Sequence, residues 1–427
     1  MKKLLFASTL LLMAMGAITA CSSNEDDPED DNVINMLPQT RSINLTDEQK
    51  TFVKKNRDFS FNLFRTVNQY AKKGNSILLS PISVTYMLGM LNDGADGQTA
   101  KEIASMLGLE ENDKNALNEF CKKLLESAPN VDENVKLKIA NYIAANKHLD
   151  IELASTYKSE MSSFYQAETS DLDFTSANAV KTINNWCSKQ TDGMIDKIID
   201  SLDPESYVVL MNAVNFEATW TNKFDKKKTA SETFTTENGN SKKQPLMHQE
   251  MMANCGKNDI FSILRLPFGS GDKWDMYVLL PNEGKNVDDI INALNNENWI
   301  ETINIPNIPP KIVDAKIPRF TTECKTDLVP ILKQMGTPSM FSPEAEFPGI
   351  CSNNKYLKIG EMFQKAAAKV NEEGAKMVAV TYTNMISATG TLPEREHTDF
   401  HANRPFVYII QESSSGVIFF MGTYKGE

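Results

Sequence analysis

The chain has 427 residues, 41% of them hydrophobic and 23% charged, and its formal net charge is −12. This composition is ordinary for a globular protein and supplies enough apolar side chains for a sizeable core, in one large domain or in about two or three smaller ones. The acidic balance argues against nucleic-acid binding through a basic surface field, so no nucleic-acid partner is expected.

The N-terminal segment is typical of an exported protein. Two lysines precede an apolar run, residues 4–18, which is shorter than a membrane span normally needs. Residues 18–21, Ile-Thr-Ala-Cys, resemble a bacterial lipobox, in which cleavage before the cysteine leaves a thiol that carries lipid. We therefore expect residues 1–20 to be a lipoprotein signal peptide and Cys21 to be lipidated. An ordinary secretory signal with a chance cysteine is the alternative, and both interpretations place the protein outside the cytoplasm.

The stretch after this cysteine is strongly acidic. Six of the seven residues 25–31 are Asp or Glu, and such a block repels itself and stays extended. It resembles the acidic tract behind the lipid-bearing cysteine of surface-exported lipoproteins in the Bacteroides group. Residues 21–44 are therefore predicted to be the lipid-anchored tether of a bacterial outer-membrane lipoprotein exposed at the cell surface. A solvated spacer that faces the periplasm is the alternative.

Helical periodicity dominates the first half of the chain after the tether. Thr46, followed three residues later by a glutamine, can cap a first helix. Pro81 begins a second helix that runs to Gly94, and a third helix, residues 99–107, ends at Gly108. Further helical patterns are predicted at residues 113–128, 151–166 and 176–190.

Strand patterns dominate the second half. Residues 207–212 are almost all apolar, as expected for a strand buried on both faces. Asn238-Gly239, after a strand at 231–236, is a hairpin signal. Other strands are predicted at residues 136–146, 244–252, 259–266, 274–281, 312–321, 406–412 and 417–424, with helices at 286–296 and 325–335. Helices followed by strands predict an α+β fold.

One more strand pattern leads into a long loop. Residues 378–383 are mostly β-branched or aromatic and fit a pleated surface, whereas Gly390 and Pro393 beyond them indicate a loop. An unpaired strand edge invites foreign pairing and aggregation. This strand therefore either has a partner already or awaits one.

The residues that could support catalysis are few. There is no Gly-x-Ser-x-Gly nucleophile elbow, and the Gly-rich residues 268–273 fit a hairpin turn better than a phosphate loop. Cys255 and His248 could pair as nucleophile and base, but neither lies in a recognisable elbow. We therefore expect no enzyme activity. The four histidines are His148, His248, His397 and His401.

Metal and disulfide chemistry are not expected either. His397 and His401 lie four residues apart among acidic residues, a spacing that suits a metal on a helix, but Pro393 and the polar surroundings indicate a solvated loop. We expect no metal and no cofactor. No Cys-x-x-Cys pair occurs, and the cysteines after Cys21 should be mostly buried thiols, although one pair could be bridged. They are Cys121, Cys187, Cys255, Cys324 and Cys351.

Four segments in order along the chain carry a family resemblance. They read NSILLSPIS at residues 75–83, MNAVNF at 211–216 with Trp220 and Phe224 beyond it, KAAAKVNEEG at 365–374 and FHANRPFVYII at 400–410. With these segments the chain resembles a serpin, a serine protease inhibitor. The resemblance implies one α+β domain, residues 45–427, with three β-sheets, about eight or nine helices and an exposed reactive loop.

The resemblance also implies an inhibitory mechanism. The native serpin fold is metastable because its main sheet lacks one strand, and the reactive loop supplies that strand after a protease cleaves it. We therefore expect a suicide-substrate inhibitor of extracellular serine or also cysteine proteases. A non-inhibitory serpin that acts as a protease substrate or a binding module is one alternative, and a hydrolase is another.

The loop sequence suits insertion as a strand, in which alternate residues share a face. The core-facing set would be Ala375, Met377, Ala379, Thr381, Thr383 and Met385, and the opposite set Lys376, Val378, Val380, Tyr382 and Asn384. No proline interrupts residues 374–388. Met377 is larger than the residue usual in inhibitory members and should slow insertion. The hinge implied by the resemblance comprises Glu372, Glu373, Gly374, Ala375, Lys376 and Met377.

Family spacing from Gly374 implies that the reactive bond is Ala388-Thr389. A small residue before the bond suits elastase-like or subtilisin-like serine proteases, whose specificity pockets are shallow. Neighbouring positions stay open as alternatives, namely Met385, Ile386 and Ser387.

Two polar groups have counterparts in the family. The shutter, where strands of the main sheet part, would comprise Ser80, Ser83, Asn212 and Gln364. The breach, where insertion begins, would comprise Trp220, Arg319 and Glu372. Gln364 stands where the family usually has a histidine, and its amide cannot titrate. Plain core packing and a surface ion pair worth under about 1 kcal/mol are the alternatives.

The expected partners are extracellular proteases and, through the lipid, a membrane. We expect a monomer. The acidic charge argues against activation by a polyanion, and the lysines at 226–228 fit a solvated turn.

Overall fold

The structure is a computed structural model that describes residues 40–109, 113–271, 273–304, 309–353, 357, 359–375 and 396–426. Some predicted features lie outside these residues. They are the signal peptide at 1–20, Cys21, the tether up to residue 39, the hinge residues Lys376 and Met377, and the reactive bond Ala388-Thr389. For Ala375 only the backbone is described.

The described residues form nine α-helices. They are α1 Asp47–Tyr70, α2 Pro81–Gly94, α3 Gly97–Leu107, α4 Lys114–Ser127, α5 Ser155–Tyr165, α6 Ala177–Gln190, α7 Val287–Ala293, α8 Asn296–Asn304 and α9 Leu328–Met335. The first six lie where the helical periodicity predicts them. None of the helices within the described part of the chain combines the length and the apolar character needed to cross a bilayer.

The strands of the described residues are interspersed among these helices along the chain. They are β1 Leu78–Leu79, β2 Val135–Asn146, β3 Ala167–Leu172, β4 Val208–Thr219, β5 Ala230–Thr235, β6 Ser241–Ala253, β7 Cys255–Lys257, β8 Phe261–Phe268, β9 Trp274–Pro281, β10 Lys311–Pro318, β11 Phe320–Asp327, β12 Met362–Asn371, β13 Gly374–Ala375, β14 His397–His401, β15 Phe406–Glu412 and β16 Ile418–Tyr424.

These strands make three sheets within the described ranges. The main sheet has the order β11-β12-β13-β4-β2-β3, the second sheet β1-β16-β15-β9-β8-β7, and the four-stranded sheet β14-β10-β6-β5. Strands adjacent in space often come from distant parts of the chain, and helices lie between them in sequence. The predicted α+β class with three sheets and about eight or nine helices is confirmed.

Local signals explain the ends of several elements. Thr46 forms the predicted capping box with Gln49 at the start of α1, so two helix-end amides have partners. Gly108 ends α3 in the left-handed conformation, φ 74°, which glycine adopts without a steric penalty. The Asn238-Gly239 turn joins β5 to β6 as a hairpin, as predicted.

Strand β4 lies between two hydrophobic layers. Val214 and Phe216 face the large core, while Met211 and Ala213 face a smaller cluster that includes Ile183 of α6. This burial on both faces agrees with the apolar run at residues 207–212, and the strand continues to Thr219. The main sheet is therefore covered on both sides near its centre.

Three sequence predictions about element boundaries were wrong. The helix predicted at 286–296 is two helices, because the Asn295 side chain accepts a hydrogen bond from the Asn298 amide and so caps α8, which starts at the next residue. The strand predicted at 312–321 is β10 and β11, which belong to different sheets. Residues 397–401 are not a solvated loop but β14, because they pair in parallel with β10.

The five described cysteines are all unpaired. Four are buried and Cys324 is partly buried, as predicted for apolar thiols. Burial raises the pKa of Cys187 to about 12 and that of Cys351 to about 11, so both stay protonated at neutral pH. The described cysteines therefore form no disulfide bond, so the alternative of one bridged pair is wrong for them.

Candidate functional site in the main sheet

The ladder between β4 and β12 is incomplete. These parallel strands pair only over residues 210–213 of β4 and 362–365 of β12. On their other sides β4 pairs with β2, and β12 with β11, almost along their whole lengths. Between residues 214–217 and 366–369 the β4–β12 ladder stops, so the facing edges of these two central strands have no strand partner there among the described residues.

Strand β13 occupies the far end of this gap. Gly374 pairs with Thr219 of β4 and with Asn371 of β12, antiparallel to both, and the backbone of Ala375 continues the same register. The predicted hinge thus contains a two-residue strand of the main sheet, which follows the turn at its start.

Gly374 is required by this close approach. Its φ is 141°, and a Cβ atom added there would lie 2.2 Å from the carbonyl oxygen of Ala218 and 2.6 Å from the Cα of Thr219. Both of those are backbone atoms, which cannot rotate away. Any residue with a side chain would therefore force β13 away from β4.

The turn before β13 is fixed by a buried carboxylate. Glu372, whose side chain is 3% exposed, forms an ion pair with Arg319 and accepts a 2.7 Å hydrogen bond from the Thr229 hydroxyl. Burial alone would raise the pKa of Glu372, but the hydrogen bonds from Arg319 and Thr229 outweigh it and hold the pKa below its usual range. The structure thus brings Arg319 and Glu372 together as predicted, and the pair is more buried than an ordinary surface ion pair.

Trp220 holds the same turn from the side of β4. Its amide donates to the Glu373 carbonyl at 2.8 Å, and its indole Nε1 donates to the Asn371 carbonyl at 2.8 Å. The indole stacks on Phe268 with ring centroids 4.4 Å apart. The three predicted breach residues therefore all contact the turn that starts the loop.

Two lysines that the sequence does not connect with the hinge also contact it. Lys223 and Lys226 lie 3.0 and 2.8 Å from the carboxylate of Glu373. Hydrogen bonds from these lysines lower the pKa of Glu373. Lys226 lies in an exposed turn, as predicted, but it also pairs with the hinge.

The four predicted shutter residues lie at the closed end of the gap. The Gln364 side chain forms two hydrogen bonds with the backbone of Ser80, the residue before α2. It accepts from the Ser80 amide at 2.7 Å and donates to the Ser80 carbonyl at 2.9 Å. The Ser83 hydroxyl donates to that of Ser80 at 3.0 Å. Asn212 is the register partner of Gln364 and donates to Asn141 at 2.9 Å. All of these side chains are buried.

The sequence of this chain matches a known protein family. The sequence model of the serpin (serine protease inhibitor) family matches residues 54–425, which is most of the chain. The chain belongs to the serpin family.

Individual serpins match over nearly their whole lengths. An uncharacterized serpin-like protein of Thermococcus kodakarensis is 29% identical over 436 residues, covering 99% of this chain and 98% of that protein. The native-state structure of the thermophilic serpin tengpin has a TM-score of 0.79 at 28% identity, covering 90% of this chain and 95% of that one. Thyroxine-binding globulin in complex with thyroxine has a TM-score of 0.77 at 25% identity, covering 88% and 100%. Serpins are mostly protease inhibitors rather than enzymes, which agrees with the expectation of no catalysis.

Asn141 is the main polar residue of this serpin site that sequence reasoning missed. It lies on β2, accepts from Asn212, and donates to the Tyr165 carbonyl at 2.7 Å. The Tyr165 hydroxyl donates in turn to Asn118 at 2.6 Å. The only sequence signal is a polar residue inside an apolar strand pattern, which does not identify its partners.

The Cys255–His248 pair considered for catalysis is not arranged for it. Burial raises the pKa of Cys255 to about 11, so the thiolate nucleophile is disfavoured at neutral pH. His248 instead hydrogen-bonds Asp314.

Proposed function

We propose that this serpin traps extracellular serine proteases by inserting its cleaved loop between β4 and β12. One observation carries the proposal: β13, the first part of the loop, already lies between these strands at the end of an open gap. Insertion then continues an existing register and needs no rearrangement of strand order.

The register supports the predicted choice of faces. Ala218 and Val370, the partners of Ala375, both face the large core, with exposures of 1% and 2%. Residues two apart on a strand share a face. In this register Met377, Ala379 and the later members of the same set enter the core, and the opposite set faces α6.

The Met377 side chain has the least space of the core-facing residues during this insertion. The register sets it opposite Phe216 and Ala368. Phe216 is 7% exposed and packs edge-on against Phe268, with ring centroids 5.4 Å apart. A long side chain at this place must displace packed neighbours, so the inserted loop moves more slowly here than a smaller residue would allow.

Lys376 meets mixed charges in the same register. On β4 it comes opposite Glu217, which favours insertion, and on β12 it comes opposite Lys369, which opposes it. The two effects largely offset each other, so this lysine does not prevent entry.

Backbone pairing supplies enough free energy for the trap. Each inserted residue contributes a net ~1 kcal/mol of hydrogen bonding, so about ten residues contribute on the order of 10 kcal/mol. That value is comparable to the whole unfolding free energy of a typical domain, about 5–15 kcal/mol. The native state is therefore proposed to be metastable relative to the cleaved, inserted state.

The proposed reactive bond is Ala388-Thr389, with elastase-like or subtilisin-like proteases as targets. The proposal rests on family spacing and on the small residue before the bond, which suits a shallow specificity pocket. Incubation with pancreatic elastase or subtilisin, followed by mass spectrometry, should release a C-terminal fragment that begins at Thr389. A fragment that begins elsewhere would move the reactive bond.

The inhibitory mechanism is tested by gel and melting curve. The intact chain mixed with the protease should give a covalent band at the summed mass, and the cleaved chain should melt at a higher temperature. In the matched variant Ala375→Arg, which keeps the reactive bond but introduces a charge on the core-facing side of the hinge, the band should be lost while cleavage continues. Cleavage without a band and without thermal gain would contradict loop insertion.

A non-inhibitory serpin is the second candidate. Thyroxine-binding globulin, which shares this fold, is known in complex with thyroxine. A cleaved chain that gains thermal stability but forms no covalent band would mark an insertable substrate, and one without either property would mark a binding module.

We further propose that Cys21 anchors the protein to the bacterial outer membrane and that the acidic tether exposes the domain at the cell surface. The variant Cys21→Ala should move from the membrane fraction to the soluble fraction. A protease added to intact cells should digest the wild-type domain, whereas protection would favour an orientation toward the periplasm.

A further inference from the structure

The outer face of the four-stranded sheet brings ionisable side chains together from three strands. His248 of β6 and His401 of β14 both hydrogen-bond Asp314 of β10, and His401 Nε2 lies 3.2 Å from Asp314 Oδ2. One ligand atom from each of Asp314, Asp399 and His401 lies within 4.8 Å of the other two. The side chains of His248, Asp314 and His401 are about one-third exposed, at 31%, 33% and 33%.

Strand register explains why these residues meet. Asp314 pairs with a carboxylate residue on each neighbouring strand, and Lys316, two residues further on the same face, pairs with a histidine on each. The two rows are Glu250–Asp314–Asp399 and His248–Lys316–His401. Rigid strands, rather than loops, hold the whole cluster.

The carboxylate row concentrates negative charge on three adjacent strands. Like charges directly opposite on adjacent strands destabilise a sheet. The Lys316 ammonium is held by Glu232 at 2.8 and 3.1 Å and does not neutralise the row. Across the described ranges, no lysine or arginine forms an ion pair with Glu250 or Asp399. A bound cation would remove this repulsion.

We propose that His401, Asp314 and Asp399 bind a divalent transition-metal ion of the Zn²⁺ type. Imidazole favours such ions over Mg²⁺ and Ca²⁺, which prefer oxygen ligands alone. Ligand atoms about 2.0–2.2 Å from tetrahedral Zn²⁺ lie about 3.3 Å apart, and the 3.2 Å between His401 Nε2 and Asp314 Oδ2 fits this spacing. Rotation of the exposed Asp399 side chain can bring its carboxylate within bonding distance of the ion. A water molecule supplies the fourth ligand.

His248 acts as a positioning residue for this site. Its ring N–H donates to Oδ1 of Asp314, which leaves Oδ2 directed toward His401. Hydrogen bonds of this kind orient ligating carboxylates and strengthen metal binding. Metal binding at His401 requires that Nε2 carry no proton, so the ion replaces the hydrogen bond to Asp314 and the proton of that bond leaves to solvent.

The ion would fasten β14 to the sheet. Strand β14 is an edge strand whose ladder partner is β10, over five residue pairs. Two of the proposed ligands lie on β14 and the third lies on β10, so the ion joins the two strands through side chains. An ion that binds the folded state alone raises the melting temperature by mass action. This inference does not depend on the proposed function of the loop.

The test uses the full chain without an affinity tag, freed of metal by a chelator. Titration with Zn²⁺ in a calorimeter should show one equivalent bound at this site, and Co²⁺ should give the visible absorption of a nitrogen- and oxygen-ligated ion. His401→Gln should lose both signals, and His248→Gln should weaken binding by about 10–100-fold. The matched control His148→Gln, at an exposed position outside the sheets, should bind as the wild type does.

The variant Asp399→Asn gives a second test, because its effect on the melting temperature should differ without and with metal. Removing one charge from the carboxylate row should raise the melting temperature without metal, while the further rise with Zn²⁺ should be lost. Equal Co²⁺ spectra and equal thermal gains in His401→Gln and the wild type would overturn the proposal, as would the absence of binding to the wild type.

Discussion

The second sheet and the main sheet are built from different interactions. In the second sheet, β15 pairs with β16 on one side and with β9 on the other over nearly its whole length, and every residue of β9 and β15 is buried. In the main sheet, the ladder between two central strands stops halfway, and two of the buried side chains near that point, those of Asn212 and Gln364, are polar.

We infer from this difference that the second sheet stabilises the fold in every state, whereas the main sheet is the part that the proposed loop insertion would change. Apolar burial in the second sheet is non-directional, and under the proposed mechanism we expect it to stay the same when the loop inserts. The hydrogen bonds of Gln364 and Asn212 are directional, and they hold the main sheet at the point where an inserted strand would arrive. We therefore expect substitutions in the second sheet to affect intact and cleaved protein equally, and substitutions in the main sheet to distinguish them.

The largest expected effect comes from Ile409→Ala in β15. Ile409 is fully buried, and truncation of such a side chain costs about 2–5 kcal/mol in the free energy of unfolding. Chemical denaturation of the intact and the loop-cleaved forms should show the same loss. A loss confined to one form would break the comparison between the two sheets.

Gly374→Ala should act on the main sheet alone. The new Cβ would meet the Ala218 carbonyl at 2.2 Å, so β13 leaves the gap or the backbone accepts strain of about 1–3 kcal/mol. Amide hydrogen exchange should accelerate at Trp220, which donates to Glu373. The control Gly336→Ala also has a positive φ, 117°, but no atom lies within 4 Å of its Cβ, so exchange at Trp220 should stay unchanged.

Gln364→His should introduce a pH dependence that the wild-type residue lacks. Position 364 is 1% exposed, so burial would hold the histidine neutral and its folded-state pKa below the unfolded value of about 6.5. The variant should therefore lose stability as pH falls below about 6.5, by about 1.4 kcal/mol for each unit that separates the two pKa values. Melting temperatures at pH 8 and pH 5.5 test this, and parallel changes in variant and wild type would refute it.

Glu373→Gln should have the smallest effect. Its partner Lys226 is 65% exposed, and exposed ion pairs contribute under about 1 kcal/mol. The lowered pKa of Glu373 means that the contribution is complete above about pH 4.3 and is lost as pH falls through the folded pKa below that value. Variant and wild type should thus melt slightly apart at pH 7, and this difference should shrink as the pH falls below about 4.3. An unchanged difference at pH 3 would exclude the ion pair as its cause.

The sequence by itself determined many of the local elements and the family. The capping box at Thr46, the stop at Gly108 and the Asn238-Gly239 hairpin depend on residues only a few positions apart, so their signals are complete within short windows. The four signature segments sufficed for the fold and for the grouping of Ser80 with Gln364, because they carry the family's residue pattern directly.

Only the tertiary structure decided which distant groups meet beyond those that the family resemblance had already placed together. No sequence signal near His401 predicts its contact with Asp314, which is 87 residues away. Residues 397–401 become a strand only because β10 offers a free edge. Asn141 and Lys223 likewise gain their roles from partners far along the chain. Hydrogen bonds and ion pairs between strands depend on register, and register is fixed by the packing of the whole sheet.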